Sequence, residues 1–202
     1  MKIRLWSVPV LFVFVVTGAA LAAEQDKKPA QPSPDEKAMM EAWMKAATPG
    51  EMHKKLDSMI GTWDAKVSSW QAPGTEPAVS TGTSESSWAL GGRFVQENFT
   101  GSFMGQPFHG IGYTGYDNVK KQYISSWMDD MGTAMMISTG TVAGPNSMTF
   151  ETSMADPMSG KSMPMTEKLT VADNDHHTFE MWAPAPDGKM FKMMEIEYTR
   201  RK

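Results

Sequence analysis

Polar and apolar residues alternate through most of the chain from residue 62 to the end. Along 62–70, Trp63, Ala65 and Val67 fall on one face and Asp64, Lys66 and Ser68 on the other. That two-residue period belongs to a strand with one buried side. Similar runs follow at 82–90, 93–101, 108–116, 122–129, 133–142, 147–154, 165–172, 177–183 and 190–200. Between them stand Gly91-Gly92, Asp117-Asn118, Pro145-Asn146, Asp156-Pro157, Asp173-Asn174 and Asp187-Gly188. These residues accept positive φ or preset a turn. No helical crossover separates the runs, so consecutive hairpins and an antiparallel sheet are predicted. A mainly β fold follows: an antiparallel up-and-down barrel of about 8–10 strands over 61–202, because closure leaves no strand edge exposed.

Upstream the period is helical. Ser33, Pro34 and Glu36 stand where an N-cap, a first-turn proline and an N3 glutamate would, a set that satisfies the free N–H groups of a helix start. A helix over 34–47 puts Met39, Trp43 and Ala46 on one face. Thr48, Pro49 and Glu51 repeat the signal, and a second helix would align Met52, Leu56 and Met59 before Gly61 stops it. These two short helices, 34–60, are expected to pack as a lid or brace. The segment 23–33 is polar, holds Pro29 and Pro32, and reads as a flexible tether without chemistry. Residues 1–22 read as a signal peptide: Lys2 and Arg4, an uncharged apolar run from Leu5 to Gly18, then Ala20 and Ala22 in an A-x-A pattern. The run is short for a bilayer span. Export to a bacterial periplasm or beyond is the expected localisation, with no stable membrane insertion after cleavage.

Composition narrows the chemistry. With Lys plus Arg at 19 and Asp plus Glu at 23 the chain is acidic, which argues against a nucleic-acid partner. Loss of Lys2 and Arg4 with the leader leaves 17 against 23, a net −6. The absence of cysteine removes disulfides, thiolate metal sites and cysteine nucleophiles. Methionine is abundant, at 20 residues. Dispersed methionine suits an adaptable core or a pliable lining for apolar ligands.

Two positions give the barrel a signature. Gly61-Thr62-Trp63 opens the first strand, and Arg200 closes the last in phase with Met194, Ile196 and Tyr198. An inward guanidinium can stack on an indole. The pairing resembles the lipocalin and fatty-acid-binding barrels of the calycin group, and implies a structural role for Gly61, Trp63 and Arg200 in closing one end. Trp88-Ala89-Leu90-Gly91-Gly92-Arg93-Phe94, Gly105-Gln106-Pro107-Phe108, Gly110-Ile111-Gly112-Tyr113, Gly115-Tyr116-Asp117-Asn118 and Trp127-Met128-Asp129 carry a further resemblance. With Phe191-Lys192-Met193-Met194-Glu195, they resemble the bacterial secreted family catalogued as domain of unknown function 1579. The resemblance implies a calycin-like barrel and brings no activity, cofactor or catalytic residue.

Motifs for catalysis are missing. The chain has no G-x-S-x-G, P-loop, G-x-G-x-x-G or H-E-x-x-H, and the expectation is a non-enzyme without a cofactor. Asp129-Asp130 precedes Gly132 and reads as turn chemistry. Neighbouring His176 and His177 point to opposite faces of a strand, which prevents joint ligation of one metal there. Met158, Met163 and Met165 with His176 or His177 form the one soft-metal alternative, for Cu(I). The leading expectation is a small apolar or amphipathic molecule held inside the barrel. Its candidate lining by strand phase is His109, Tyr113, Trp127, Met135, Phe150, Met181 and Met194. A non-catalytic interaction protein with a filled core is the alternative. No residue pattern assigns an oligomeric state or a ligand identity.

Overall fold

The computed structural model describes residues 31–202. The expected signal peptide and most of the expected tether lie outside the described residues. The chain divides into two units, 1–40 and 41–202. Helix α1 spans Pro34–Ala47 and starts as its sequence dictates. The Glu36 N–H donates to Ser33 Oγ at 3.2 Å, and the Ser33 N–H donates to Glu36 Oε2 at 2.7 Å, a reciprocal capping box. Those hydrogen bonds hold the Glu36 carboxyl below its ordinary pKa. The expected burial of the Met39/Trp43/Ala46 face is not found, since α1 buries none of its residues and Trp43 is 69% exposed. Local capping and helix-forming residues maintain it.

The second helix is shorter than its periodicity suggested: α2 spans Glu51–Lys54, followed by a 3₁₀ turn at Asp57–Met59. The Met52, Leu56 and Met59 stripe nevertheless meets one core cluster, with Leu56 fully buried. Tyr123 OH donates to Met52 O at 2.8 Å, and Asn118 Nδ2 donates to Ala46 O and Thr48 O. This segment therefore seals one barrel end with backbone carbonyls satisfied from the wall.

Ten strands follow: β1 (Gly61–Ser69), β2 (Ala78–Ala89), β3 (Phe94–Phe103), β4 (Gln106–Asp117), β5 (Gln122–Asp129), β6 (Met136–Gly144), β7 (Ser147–Ala155), β8 (Ser162–Val171), β9 (His176–Pro184) and β10 (Met190–Arg200). Each pairs antiparallel with its sequence neighbour, and β10 returns to β1, which closes the barrel. Trp63 pairs with Arg200, Ala65 with Tyr198 and Val67 with Ile196, so the inward set of the first strand faces that of the last.

Glycines let aromatic rings lie along the inner wall. A Cβ at Gly110 would sit 2.2 Å from Trp127 Cζ2, one at Gly140 2.4 Å from Phe150 Cδ1, and one at Gly82 2.5 Å from Phe99 Cζ. Each ring covers a glycine of a neighbouring strand, where any side chain would collide. This arrangement sets the phase of β4. Gly110, Gly112 and Thr114 face inward, and the larger His109, Ile111 and Tyr113 face outward.

Candidate functional site

The barrel interior has three levels. At the end sealed by α2, Leu56, Val95, Tyr123, Met148, Phe150 and Leu169 form one buried cluster. Trp63, Val95 and Tyr123 are no more than 1% exposed. The end closure is completed by Arg200, whose guanidinium lies 4.0 Å from the Trp63 ring centre. Arg200 Nη1 donates to Ile60 O at 2.8 Å, and Nε donates to Asn174 O at 2.7 Å. Gly61 is needed there: its φ is +137°, and a Cβ would approach Arg200 Nη1 to 2.3 Å. The Trp63 indole donates to Met59 O at 2.9 Å, which ties the closure to the 3₁₀ turn.

The opposite end is rich in methionine. Met165, Met181 and Ala183 are buried there, with Met136, Met163, Met193 and Met194 against them. A register shift between Lys192 and Met194 lets consecutive Met193 and Met194 both reach this cluster, as a bulge allows. Met136, Met163, Met194, Phe108 and Trp127 face inward yet are only half-buried. These side chains keep accessible surface around the fully buried Met165.

Between the two lies a polar girdle that the sequence reading missed. Glu97 Oε1 accepts from Ser84 Oγ at 2.6 Å and from Tyr198 OH at 3.4 Å. Thr114 and Ser125 share a hydroxyl contact at 3.3 Å, Ser125 pairs with Ser138, and the Ser138 hydroxyl favours the anion of Glu167. Desolvation pushes the Glu97 carboxyl up, partly offset by Ser84 and Tyr198. Desolvation likewise pushes Glu167, 3% exposed, up to about 7. Beside them His177 stacks on Tyr198, with ring centres 4.3 Å apart at 18°, and meets the Trp63 ring edge-on. Burial, with Arg200 nearby, holds His177 down at about 4, and its buried Nδ1 has no hydrogen-bond partner among the described residues. The sequence did carry a signal. Glu97 stands in phase with Val95 and Phe99, and Glu167 with Met165 and Leu169, a charge inside an apolar set.

Of the expected lining, Trp127, Phe150, Met181 and Met194 face the interior. Three residues need correction. His109 is exposed and its backbone N–H donates to Asp130 Oδ2. Tyr113 is half-buried on the outer face, and Met135 is 54% exposed ahead of β6 while its neighbour Met136 points inward. In β4 the difference is one of phase: the ring of Trp127 lies over Gly110 and Gly112 and requires glycine on the inner side, which turns the larger residues outward. The residues of the Cu(I) alternative do not assemble. Met158 is 94% exposed, and His176 sits at the surface against Asp173 at 2.9 Å. His177 lies six residues along β9 from Ala183, the residue beside Met165, roughly 20 Å at the rise of a strand. Among the described residues no group of three or more His, Cys, Asp and Glu is placed to hold a metal.

A depression of about 770 Å³ marks the outer wall, lined by Asp64, Lys66, Thr81, Thr83, Glu197 and Arg201 among others. Its charges are already matched, Lys66 with Glu197 at 2.8 Å and Arg201 with Asp64. It offers neither an aromatic platform nor an uncompensated charge.

Rv2717c from M. tuberculosis is similar at a TM-score of 0.57 with 14% identity, covering 77% of this chain and 100% of its own. A redesigned β-barrel, b11L5F_LGL, aligns at 14% identity and a TM-score of 0.41, over 76% of this chain and 100% of its own. EF1p2_mFAP2b bound to DFHBI aligns at 11% and 0.37, over 75% and 100%. At 14% identity the likeness to Rv2717c speaks to the fold alone. No functionally curated protein matches the sequence. The family model described as Protein of unknown function (DUF1579) matches residues 48–200, the whole barrel with the α2 segment, and the chain belongs to that family.

Proposed function

We propose that this protein is exported and that its barrel binds a small amphipathic molecule, without catalysis. The carrying observation is the contrast between the barrel ends. At the α2 end, core side chains are 0–1% exposed at Leu56, Val95, Trp63 and Tyr123. At the methionine end, inward-facing Phe108, Trp127, Met136, Met163 and Met194 keep accessible surface. Unbranched thioether side chains adapt to varied apolar shapes, and the girdle of Glu97, Thr114, Ser125, Ser138 and Glu167 supplies polar groups deeper in. Entry past the methionines toward the girdle suits a ligand with an apolar body and one polar head.

Native mass spectrometry of the protein purified from its own extracellular or periplasmic fraction, beside a denatured spectrum, tests this reading. A bound mass lost on denaturation is expected. A bare mass that persists after incubation with apolar and amphipathic compounds would turn the assignment to an interaction protein with a filled core.

A further inference from the structure

The two girdle carboxyls face each other across the barrel. In the ring of ten strands β3 and β8 stand five positions apart, which places Glu97 and Glu167 on opposite walls. They share one level, because the polar girdle connects them. Glu97 pairs with Gly112, the inward residue next to Thr114, and Thr114, Ser125 and Ser138 continue across β4, β5 and β6 toward Glu167.

Among the described residues neither carboxyl has a cation. Glu97 receives two hydroxyl donors, both on Oε1, and the polar partner of the Glu167 carboxyl is the Ser138 hydroxyl. Glu167 is 97% buried, by its 3% exposure, and its strand partners are Phe150 and Met181. Arg200 is the inward cation of the last strand. It is already engaged by Trp63, Ile60, Asn174 and Asp175 at the sealed end. Lys192 is turned to the outer face by the β10 bulge, where it meets Glu180 and Glu195. An acidic group so placed is costly unless something pairs with it.

Resting on the carrier reading above, we propose that the ligand is an amphipathic organic cation: an amine, amidine or guanidine head on an apolar body. The head is received between Glu97 and Glu167, and the body lies toward Trp127 and the methionine end. A cationic head favours the charged form of both carboxyls and donates charge-assisted hydrogen bonds to them, whereas a fatty-acid carboxylate would meet two acidic groups with no cation among the described residues to offset its charge.

Binding of octylamine, octanoate and octanol at neutral pH tests this, read by displacement of the neutral fluorophore N-phenyl-1-naphthylamine. Octylamine is expected to bind about tenfold or more tighter than either partner of equal chain length. Glu97→Gln and Glu167→Gln should each weaken octylamine about tenfold and leave octanol within about twofold, so octanol also reports that the variants fold. Octanoate or octanol binding as tightly as octylamine overturns the cationic ligand and leaves the carrier reading standing. Octylamine affinity unchanged in the double variant overturns it as well. No binding of the fluorophore or of any of the three compounds overturns both.

Discussion

Replacing Glu167 by Gln should remove a stability cost that the barrel carries above neutral pH. The carboxyl is 3% exposed, between Phe150 and Met181 on the neighbouring strands. Its polar surroundings are the Ser138 hydroxyl and, across the interior, Glu97. Burial raises its pKa from 4.5 to about 7. The folded protein therefore binds more protons than the unfolded chain between those values, and stability falls as pH rises through the window. At about 1.4 kcal/mol per pKa unit, full ionisation costs about 3 kcal/mol, most of which develops between pH 5 and 8. Glutamine keeps the shape and the hydrogen-bonding capacity but does not ionise. Relative to wild type, Glu167→Gln should gain about 2.5 kcal/mol on going from pH 5 to pH 8. For a barrel of this size that corresponds to roughly 5–10 °C in the Tm difference. Urea or thermal unfolding of both proteins at the two pH values measures it, and the acid effect of His177, common to both, cancels in the comparison. A gap that is the same at pH 5 and pH 8, or that shrinks, refutes the reasoning.

Other expectations follow from the same interior. His177, held at about 4 by burial and Arg200, should remain neutral at pH 5 in an NMR titration. Its depressed pKa means that its contribution to stability is present above about 6.5 and is lost as pH falls toward 4, so His177→Phe should flatten the acid limb of the unfolding profile. Arg200→Ala removes the stack on Trp63 and two donations to backbone carbonyls, and should cost about 2–3 kcal/mol in urea unfolding. Arg200→Lys should recover little, because an ammonium cannot reproduce the planar fork. Gly110→Ala places a methyl where Trp127 lies, and should cost about 1–3 kcal/mol with a shift in tryptophan emission as the ring leaves the wall. An unchanged emission spectrum at wild-type stability would contradict the ring-over-glycine packing.

The barrel itself was written in local pattern. Alternation of period two located all ten strands, because a pleated strand must present every second residue to the core. Asx, Gly and Pro at the breaks marked hairpins, since few other residues take those turns without strain. Ser33, Pro34 and Glu36 marked the start of α1 for an equally local reason: a capping box involves only neighbours in sequence. The placement of Arg200 was legible too, from its phase in β10. What the interior contains was decided by register and ring packing between strands. Alternation alone cannot say which phase of β4 faces inward; the Trp127 ring over Gly110 and Gly112 decides it, and turns His109 and Tyr113 outward. The Lys192/Met194 bulge, invisible to a strict period, brings Met193 and Met194 together and moves Lys192 out. Most of all, Glu97 and Glu167 lie 70 residues apart in the chain and become opposite walls of one chamber only when β10 closes on β1. Sequence thus determined where the wall is, through residue-by-residue pleating and turn chemistry. Tertiary structure determined what the wall encloses, because closure and stagger bring together side chains that no local rule relates.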